Sequence, residues 1–382
     1  MRSAPLYLRL QDAGHEVRVA ISEALAQGTG AGLVTQGADW RQSLEWVGRD
    51  GIILFEAVSE GFGAVQDDLR RQGYRVVGGS AFGDRLENDR AFAQALLAGI
   101  GFPAGHVHEF DRADDALAHI AARPRRYVLK FSGPDFASHD NYVGRLADRR
   151  DVAAMLRAGA ARPGTRFILM DHIGGIEIGV GAYFDGTHFI EPACLDWEHK
   201  RFFAGDMGEL TGEMGTVSTF QGTSHFFERT LKLVEPLLCG HGHVGYVNLN
   251  TIVNEEGIWP IEFTCRFGYL GYAVLDPLQT TGWDTLFLRM LGAMSSSLET
   301  ATGWSVGIVV TTPPFPWSRH DLAAPVALPI LFDGPAIDGR HIYLGEAGLS
   351  DEVLSTSGVY GWTMVVTGVG PTLRDAQSDA YR

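Results

Sequence analysis

Two apolar runs, Tyr246–Val253 and Ile258–Phe263, flank the tetrad Asn254-Glu255-Glu256-Gly257, a spacing that predicts an antiparallel hairpin. The residues that end the second run constrain the chain further. Glu262, Thr264, Cys265 and Arg266 follow one another closely, so a carboxylate and a guanidinium close a strand that is otherwise apolar. Charges at the end of a buried strand are costly unless each has a partner. Side chains alternate across a strand, which puts Glu262 and Thr264 on one face and Phe263 and Cys265 on the other. Counting back across the turn brings Asn250 beside Glu262. Oxygen ligands from paired strands, with an arginine close by, suit Mg²⁺ and phosphate oxygens. An ordinary hairpin with a surface Glu–Arg pair has the same local pattern.

A chain of 382 residues, 45% hydrophobic and 20% charged, exceeds one small core and is expected to form two or three domains. The formal net charge of −15 argues against non-specific nucleic-acid binding. Cys194, Cys239 and Cys265 lack CxxC spacing, so neither a zinc site nor a disulfide framework is indicated, and a reducing compartment fits. No apolar run reaches the roughly 18–20 residues of a membrane span, and the first residues lack a secretory h-region. The expectation is a soluble cytoplasmic protein, monomer or homodimer, with no membrane or direct nucleic-acid partner.

Along the chain, Pro5–Ala13 reads as a helix and Glu16–Ile21, Gly51–Phe55 and Tyr74–Val77 as strands around a helix Ala64–Gln72. This alternation predicts a small open parallel sheet. Such a domain usually begins with a strand, so the first strand is expected to be missing or the start to lie downstream of it. Leu86–Ile100 and Asp111–Ala122 read as helices. Tyr127–Phe131 is a strand bearing Lys130 at its end, where a lone lysine is more often a solubilising residue than a ligand-binding one. The segment SGPDFASHDNYVG after it is polar and small enough to cover phosphates but matches no Walker pattern.

Arg166–Met170 reads as a strand and Glu177–Tyr183 as its hairpin partner, across Asp171-His172-Ile173-Gly174-Gly175. The charged and aromatic run Asp196-Trp197-Glu198-His199-Lys200-Arg201 and the Gly-rich GDMGELTGEMGTVS after it look like a loop enclosing a substrate, or a solvated charge cluster. His199, His241 and His243 lack the spacing of metal ligands. Phe226–Cys239 and Asp284–Met294 read as helices. From Ser305 the texture changes to short strands (Trp304–Thr311, Ala327–Phe332, His341–Gly345, Gly361–Val369) before Leu373–Tyr381, a pattern expected of a separate small α+β module.

Lys130, Glu177, the HKR segment and the run PIEFTCRFG, in this order, resemble the ATP-grasp superfamily and within it the glycinamide ribonucleotide synthetases (phosphoribosylamine–glycine ligases). RVVGGSAFGDRLENDRAF is similar to that family's segment before its central domain, and FILMDHIGGIEIGVGAYFDG to its hinge and following hairpin. EHKRFFAGDMGELTGEMG is similar to its DHKR…GD.GPNTGGMG run and PIEFTCRFG to its IEFN.RFGDPE. SVGIVVTT…FP and VVTGVGPTLRDAQSDAY resemble its C-terminal domain. The resemblance implies a multidomain α/β and α+β chain with an ATP-grasp fold. Its parts would be a pre-ATP-grasp α/β domain over residues 1–84, an ATP-grasp domain over 85–298 with a lid at about 104–172, and an α+β domain over 299–382.

The implied activity is an ATP-dependent carboxylate–amine ligase with Mg²⁺ (or Mn²⁺), joining an amino acid such as glycine to an amine acceptor through an acyl phosphate. The resemblance places Asp171 and Ile173 at the adenine, Glu177 at the ribose, and Lys130 and Arg90 at the phosphates. It assigns Glu262, Asn250 and Thr264 to the metal and Lys200 and Arg266 to catalysis. Glu198, Arg201, Thr211 and Glu213 fall on the substrate side. This sequence departs from the family at Thr264, where the family has Asn, at Glu213 within the TGGMG run, and at Tyr269-Leu270-Gly271, where the family has Asp-Pro-Glu. The phosphate loop also lacks the family's second lysine. These departures lie mainly on the substrate side, so the expected acceptor is a modified sugar, nucleotide or nucleobase other than phosphoribosylamine. The alternatives are the housekeeping ligase of purine synthesis and a non-catalytic nucleotide-binding protein.

Overall fold

The computed structural model describes residues 4–382 except 22, 38, 57–60, 104–106, 132–140, 158–165, 268, 293, 295–296, 317–325, 334–340 and 359. Most of the phosphate-loop segment therefore lies outside the described residues.

The first helix, Ala4–Asp12, is followed by strands β1 (Arg18–Ala20) and β2 (Thr35–Gly37), then β3 (Ile52–Leu54) and β4 (Arg75–Val77). β1 pairs with β2 and β3 with β4, both parallel. The expected single parallel sheet is thus two separate pairs, each with its own small core, around Val19, Ile21 and Val34 and around Phe55, Leu69 and Val76. Three-residue strands are too short to carry a wider ladder.

The single helix expected over Leu86–Ile100 is two, Ala81–Asn88 and Arg90–Gly99. Asp89 ends one and caps the other: its φ of −104° and ψ of 86° leave the helical region, and its carboxylate accepts from the Phe92 amide at 3.0 Å. That bond satisfies one of the donors every helix start leaves free.

Strands β5 (Val107–Phe110), β6 (Tyr127–Phe131), β7 (Tyr142–Val143) and β8 (Phe167–Asp171) form a four-stranded antiparallel sheet in the order β5-β8-β6-β7. Tyr127, Leu129, Phe167 and Leu169 pack beneath it on Ile120, Val152 and Leu156. β8 does not form a hairpin with the next strand. Residues 172–175 carry the chain out of this sheet, and β9 (Ile176–Phe184) belongs to another one. β8 is a continuous apolar run, buried at Phe167, Ile168, Leu169 and Met170, which fits either sheet; the glycines at 174 and 175 permit the crossing.

β10 (Phe189–Phe203), β11 (Met207–Thr219), β12 (Gly245–Asn254), β13 (Gly257–Thr264), β14 (Trp304–Thr311), β15 (Ile342–Leu344), β16 (Ala347–Ser350), β17 (Val353–Thr356) and β18 (Trp362–Gly370) complete the strands among the described residues. Seven of these join β9 in one eight-stranded sheet, β13-β12-β9-β10-β11-β14-β18-β15, and β16 and β17 form a separate pair. Two expectations change here. The Gly-rich segment expected as a flexible loop is strand β11, paired with β10 through Leu195↔Thr219 to Phe203↔Met207; alternating Thr, Val and Met outweigh its glycines. The segment from Ser305 is not set apart in hydrogen bonding, since β14 pairs with β11 and extends the sheet. The helix expected over Phe226–Cys239 is broken into Ser224–Glu228, a 3₁₀ turn at Leu231–Val234 and Glu235–Leu238.

On one face of this sheet, Val180, Ala182, Phe184, Val247, Leu249 and Phe263 pack on Leu86 and Leu97 of the two helices that Asp89 separates. The opposite face is polar near β13 and apolar deeper in, where Tyr183, Tyr246 and Phe267 meet Trp283 and Phe287. No helix among the described residues is long and apolar enough to cross a membrane.

Candidate active site

The hairpin has the expected register, with Asn250 opposite Glu262 and Asn248 opposite Thr264. Next along the sheet, Asn250 faces Gly179 and Asn248 faces Gly181 on β9, and Gly179 in turn faces Asp196 on β10. One face therefore carries a polar row across four strands. β13 also bulges: Glu262 pairs with Asn250 and Pro260 with Thr251, leaving Ile261 as the extra residue. A bulge re-aims the side chain beside it. β13 is an edge strand, and its free carbonyls are taken from outside. Arg90 Nη1 donates to the Ile261 oxygen at 2.6 Å and Gln94 Nε2 to the Pro260 oxygen at 2.9 Å.

Three cations meet on Glu262. Arg90 Nη2 lies 2.6 Å and Lys130 Nζ 3.4 Å from Oε2, and Lys200 Nζ is 3.8 Å from Oε1. Lys130 comes from the four-stranded sheet, so the contact bridges the two sheets. Lys130 first, then Arg90 and Lys200, hold the Glu262 carboxyl well below the usual range. Burial lowers the Lys130 ammonium, and Arg90 and Lys200 act in the same direction. Lys200 is the hub of a second group, 2.6 Å from Glu177 and 3.1 Å from Glu198. Burial disfavours its charge, but Glu198, Glu262 and Glu177 more than offset that and raise its pKa. Asn250 Nδ2 donates to the same Glu177 oxygen at 2.6 Å, leaving the amide oxygen as its remaining ligand atom.

Behind this group lies a buried chain that the sequence reading missed. Asn248 Nδ2 donates to Asp196 at 2.7 Å, and the Tyr246 hydroxyl meets Cys194 Sγ at 3.3 Å. Burial and then Glu198 push the Asp196 carboxyl up to about 7, and burial likewise raises Glu198 and Glu213. Period-two counting from Asn250 and Glu198 would have found Asn248 and Asp196. A Cβ on Gly179 would collide with the Asp196 carboxylate, and one on Gly181 with the Tyr246 hydroxyl. Both glycines are therefore required by the polar side chains that cross them.

The remaining expected residues are more dispersed. Asp171 pairs with Arg125 at 2.6 Å at the end of β8, and Ile173 lies in the crossing between the sheets. Arg201 contacts Asp206 and the Gly208 carbonyl, Thr211 donates to the Lys200 carbonyl at 2.8 Å, and Glu213 accepts from Thr216. Arg266 is not among the cations on Glu262. Its Nε donates to Glu87 at 2.9 Å, and the same carboxylate accepts from the Cys265 amide at 2.8 Å. A separate cavity of about 430 Å³ lies by Arg9 and Trp283. Of the three acids that line it, Asp12, Asp276 and Asp284, the buried one, Asp276, is already satisfied by Arg9, Trp283 and Tyr343.

No group of three or more His, Cys, Asp or Glu among the described residues is arranged to hold a metal alone. Mg²⁺ commonly takes one or two carboxylates and completes its octahedron with water and phosphate oxygens. A fully ionised Glu262 with the Asn250 amide oxygen beside it, and Thr264 next on the same face, is a hard-oxygen donor set of that kind.

A small antiparallel sheet meets a large one where a lysine of the first contacts an acid of the second, and the chain has the ATP-grasp fold. Phosphoribosylamine–glycine ligase from Thermotoga maritima superposes over 100% of this chain and 93% of its own, with a TM-score of 0.74 at 18% identity. N5-carboxyaminoimidazole ribonucleotide synthetase from Thermus thermophilus does so over 99% and 94%, with a TM-score of 0.62 at 14% identity. Within this class the chain resembles the phosphoribosylamine–glycine ligases. The family model described as phosphoribosylglycinamide synthetase, ATP-grasp (A) domain, matches residues 88–271. The Neisseria meningitidis serogroup B phosphoribosylamine–glycine ligase is 24% identical over 335 residues, 83% of this chain and 76% of that protein. The Streptococcus suis ligase is 27% identical with the same coverage.

Proposed function

We propose that the protein is an ATP-dependent carboxylate–amine ligase that activates an amino acid as its acyl phosphate and passes the acyl group to an amine. The observation that carries this reading is the meeting of Lys130, Arg90 and Lys200 on one ionised acid, Glu262, where the two sheets touch. A triphosphate entering there would replace Glu262 as the partner of Lys130 and Arg90. Glu262, Asn250 and Thr264 would hold Mg²⁺ (or Mn²⁺), which when bound neutralises phosphate oxygens. Asp171 and Ile173 stand at the crossing, where adenine would lie.

In the reaction a carboxylate oxygen attacks the γ-phosphorus and the bond to the β-bridging oxygen breaks, releasing ADP. The amine nitrogen then attacks the acyl carbon, phosphate leaves, and the amine loses a proton. Charge builds on phosphate oxygens in the first step and on the acyl oxygen in the second, and fixed cations lower both barriers. Lys200 and Arg266 supply that charge in this reading. Glu177 anchors Lys200 and Asn250, a role that suits its contacts better than the ribose. Glu198, Arg201, Thr211 and Glu213 line the substrate side of β10 and β11.

The relatives named phosphoribosylamine–glycine ligase support glycine or a close analogue as the acid and an amine-bearing sugar, nucleotide or nucleobase as the acceptor, in the cytoplasm. Release of ADP across a panel of amino acids and amines tests the reading; no release with any pair would leave a nucleotide-binding protein. Rescue of a purine auxotroph would identify the housekeeping ligase instead.

A further inference from the structure

The free edge of β13 is lined by side chains of the two helices that Asp89 separates. Gln94 donates to the Pro260 oxygen, and Arg90 donates to the Ile261 oxygen and to Glu262. These two residues stand four apart on one helix and so share a face. Glu87, in the last turn of the helix before the break, continues the row past the end of the strand. Backbone groups on a sheet edge need partners from outside, which accounts for the contacts that Gln94 and Arg90 make with carbonyls. It does not account for all that Glu87 does. Its Oε2 accepts from the Cys265 amide at 2.8 Å, and its Oε1 accepts from Arg266 Nε at 2.9 Å. One carboxylate thus holds two consecutive residues, the first by its backbone and the second by its side chain.

The atom by which Arg266 is held matters. A guanidinium carries five N–H donors in a rigid planar fork. Glu87 takes only Nε, and no partner of the two terminal nitrogens occurs among the described residues. Tying Nε and the preceding amide to one acid restricts the swing of the fork and leaves its four terminal N–H groups available. The Glu87 side chain is 14% exposed and that of Arg266 33%, so the pair is sheltered while the fork still reaches solvent. The same stretch of chain also places the acid of the site. Arg90, three residues after Glu87, lies 2.6 Å from Glu262, and Glu262 stands four residues before Arg266. One helix junction therefore sets both charged groups at the end of β13.

Resting on the ligase reading, we propose that Glu87 is a positioning residue for the reaction: its carboxylate aims the Arg266 fork so that the terminal nitrogens meet the negative charge that develops during phosphoryl and acyl transfer. Glu87 itself touches no substrate and acts through Arg266. Fixed donors lower a barrier because their geometry is set before the reaction, and a misplacement of about 1 Å can cost roughly 100-fold. A carboxylate that served only as a strut between helix and strand end would act on stability, and its effect on turnover would not depend on Arg266.

Four proteins separate the two roles: the wild type, Glu87→Gln, Arg266→Ala and the double variant. ADP release from MgATP, with the most active pair from the panel of amino acids and amines, gives turnover. Calorimetry with Mg²⁺ and a non-hydrolysable ATP analogue gives nucleotide affinity. Glu87→Gln is expected to lower turnover at least tenfold while analogue affinity stays within about threefold of the wild type. The double variant should turn over within about threefold of Arg266→Ala, because Glu87 then has nothing left to aim. Equal turnover in Glu87→Gln and the wild type overturns the proposal. So do losses that multiply in the double variant, or a loss of analogue affinity as large as the loss of turnover. Glu87→Asp keeps the charge but is one methylene short of reaching both donors, and it replaces Glu87→Gln, with the same expected split, if that variant does not fold. A second measurement needs no turnover. With ¹⁵N-labelled arginine, the wild type should show a slowly exchanging Nε–H signal at neutral pH that is missing from Arg266→Ala and loses its protection in Glu87→Gln. Fast exchange of that signal in the wild type overturns the proposal. No ADP from the wild type with any pair sinks the ligase reading itself, and this role of Glu87 with it.

Discussion

Lys200 is half-enclosed by acids from three strands, Glu177 on β9, Glu198 on β10 and Glu262 on β13. Removing its charge leaves three carboxylates facing one another, and like charges at that range repel strongly. Lys200→Met should lower turnover by at least ~100-fold, of the order seen when a fixed transition-state donor is lost. It should also tighten Mn²⁺ binding in the absence of nucleotide, measured by the free-ion EPR signal. Unchanged turnover and unchanged Mn²⁺ affinity would remove Lys200 from the site. Asp196 makes a second residue-scale case. Its carboxyl is at about 7 in the fold against 3.8 as a free side chain, so between those values the folded chain holds a proton that the unfolded chain has released. Stability from this group is complete below about pH 4 and is lost as pH rises towards 7. Asp196→Asn should therefore flatten the fall in melting temperature between pH 5 and 8. At pH 8 it should stabilise the chain by on the order of 1–3 kcal/mol. A parallel decline in both proteins would refute it. The pairing of Asn250 with Glu262 was legible in the sequence because strand alternation and turn counting are local; Lys130 was singled out only by the family resemblance. The meeting of Lys200 with Glu262 was not, since nothing in their separation of 62 positions encodes which strands adjoin.

β9 shows how an element is shaped by its neighbours. Its glycines at 179 and 181 have no conformational need of their own; they clear the way for Asp196 and Tyr246. Gly181→Ala should destabilise by about 1–3 kcal/mol through overpacking, and Tyr246→Phe in the same chain should restore part of that by removing the clashing oxygen. Urea unfolding of the two single variants and the double variant measures this, and additive losses would show that the clash is not with Tyr246. The hairpin β12–β13 was predictable because its turn and its alternation agree. The partner of β8 was not, because a continuous apolar strand fits either sheet and only the tertiary arrangement selects one. β11 was hidden by its glycines, which signal a loop in isolation but are tolerated between two long antiparallel neighbours. The break at Asp89 was visible as a capping residue inside an apolar pattern, a signal that the run of helix formers on both sides masked.

At the scale of the molecule, two sheets from distant parts of the chain each contribute what the other lacks. The small sheet brings Lys130 and the crossing at residues 172–175, and the large sheet brings the acids. The order of motifs along the sequence indicated this architecture, whereas the division of the first sheet into two pairs and the extension of the large sheet by β14 and β18 required the structure.

The central claim is that nucleotide phosphates are gripped where Lys130 meets Glu262. Isothermal calorimetry with Mg²⁺ and a non-hydrolysable ATP analogue tests it most directly, on the wild type, Lys130→Met and Glu262→Gln, each confirmed folded by circular dichroism. The account predicts 1:1 binding to the wild type and at least ~10-fold weaker binding to each variant, the 1.4 kcal/mol expected as a minimum for one lost charged contact. Binding of equal strength to all three proteins, or no heat with the wild type, would contradict it.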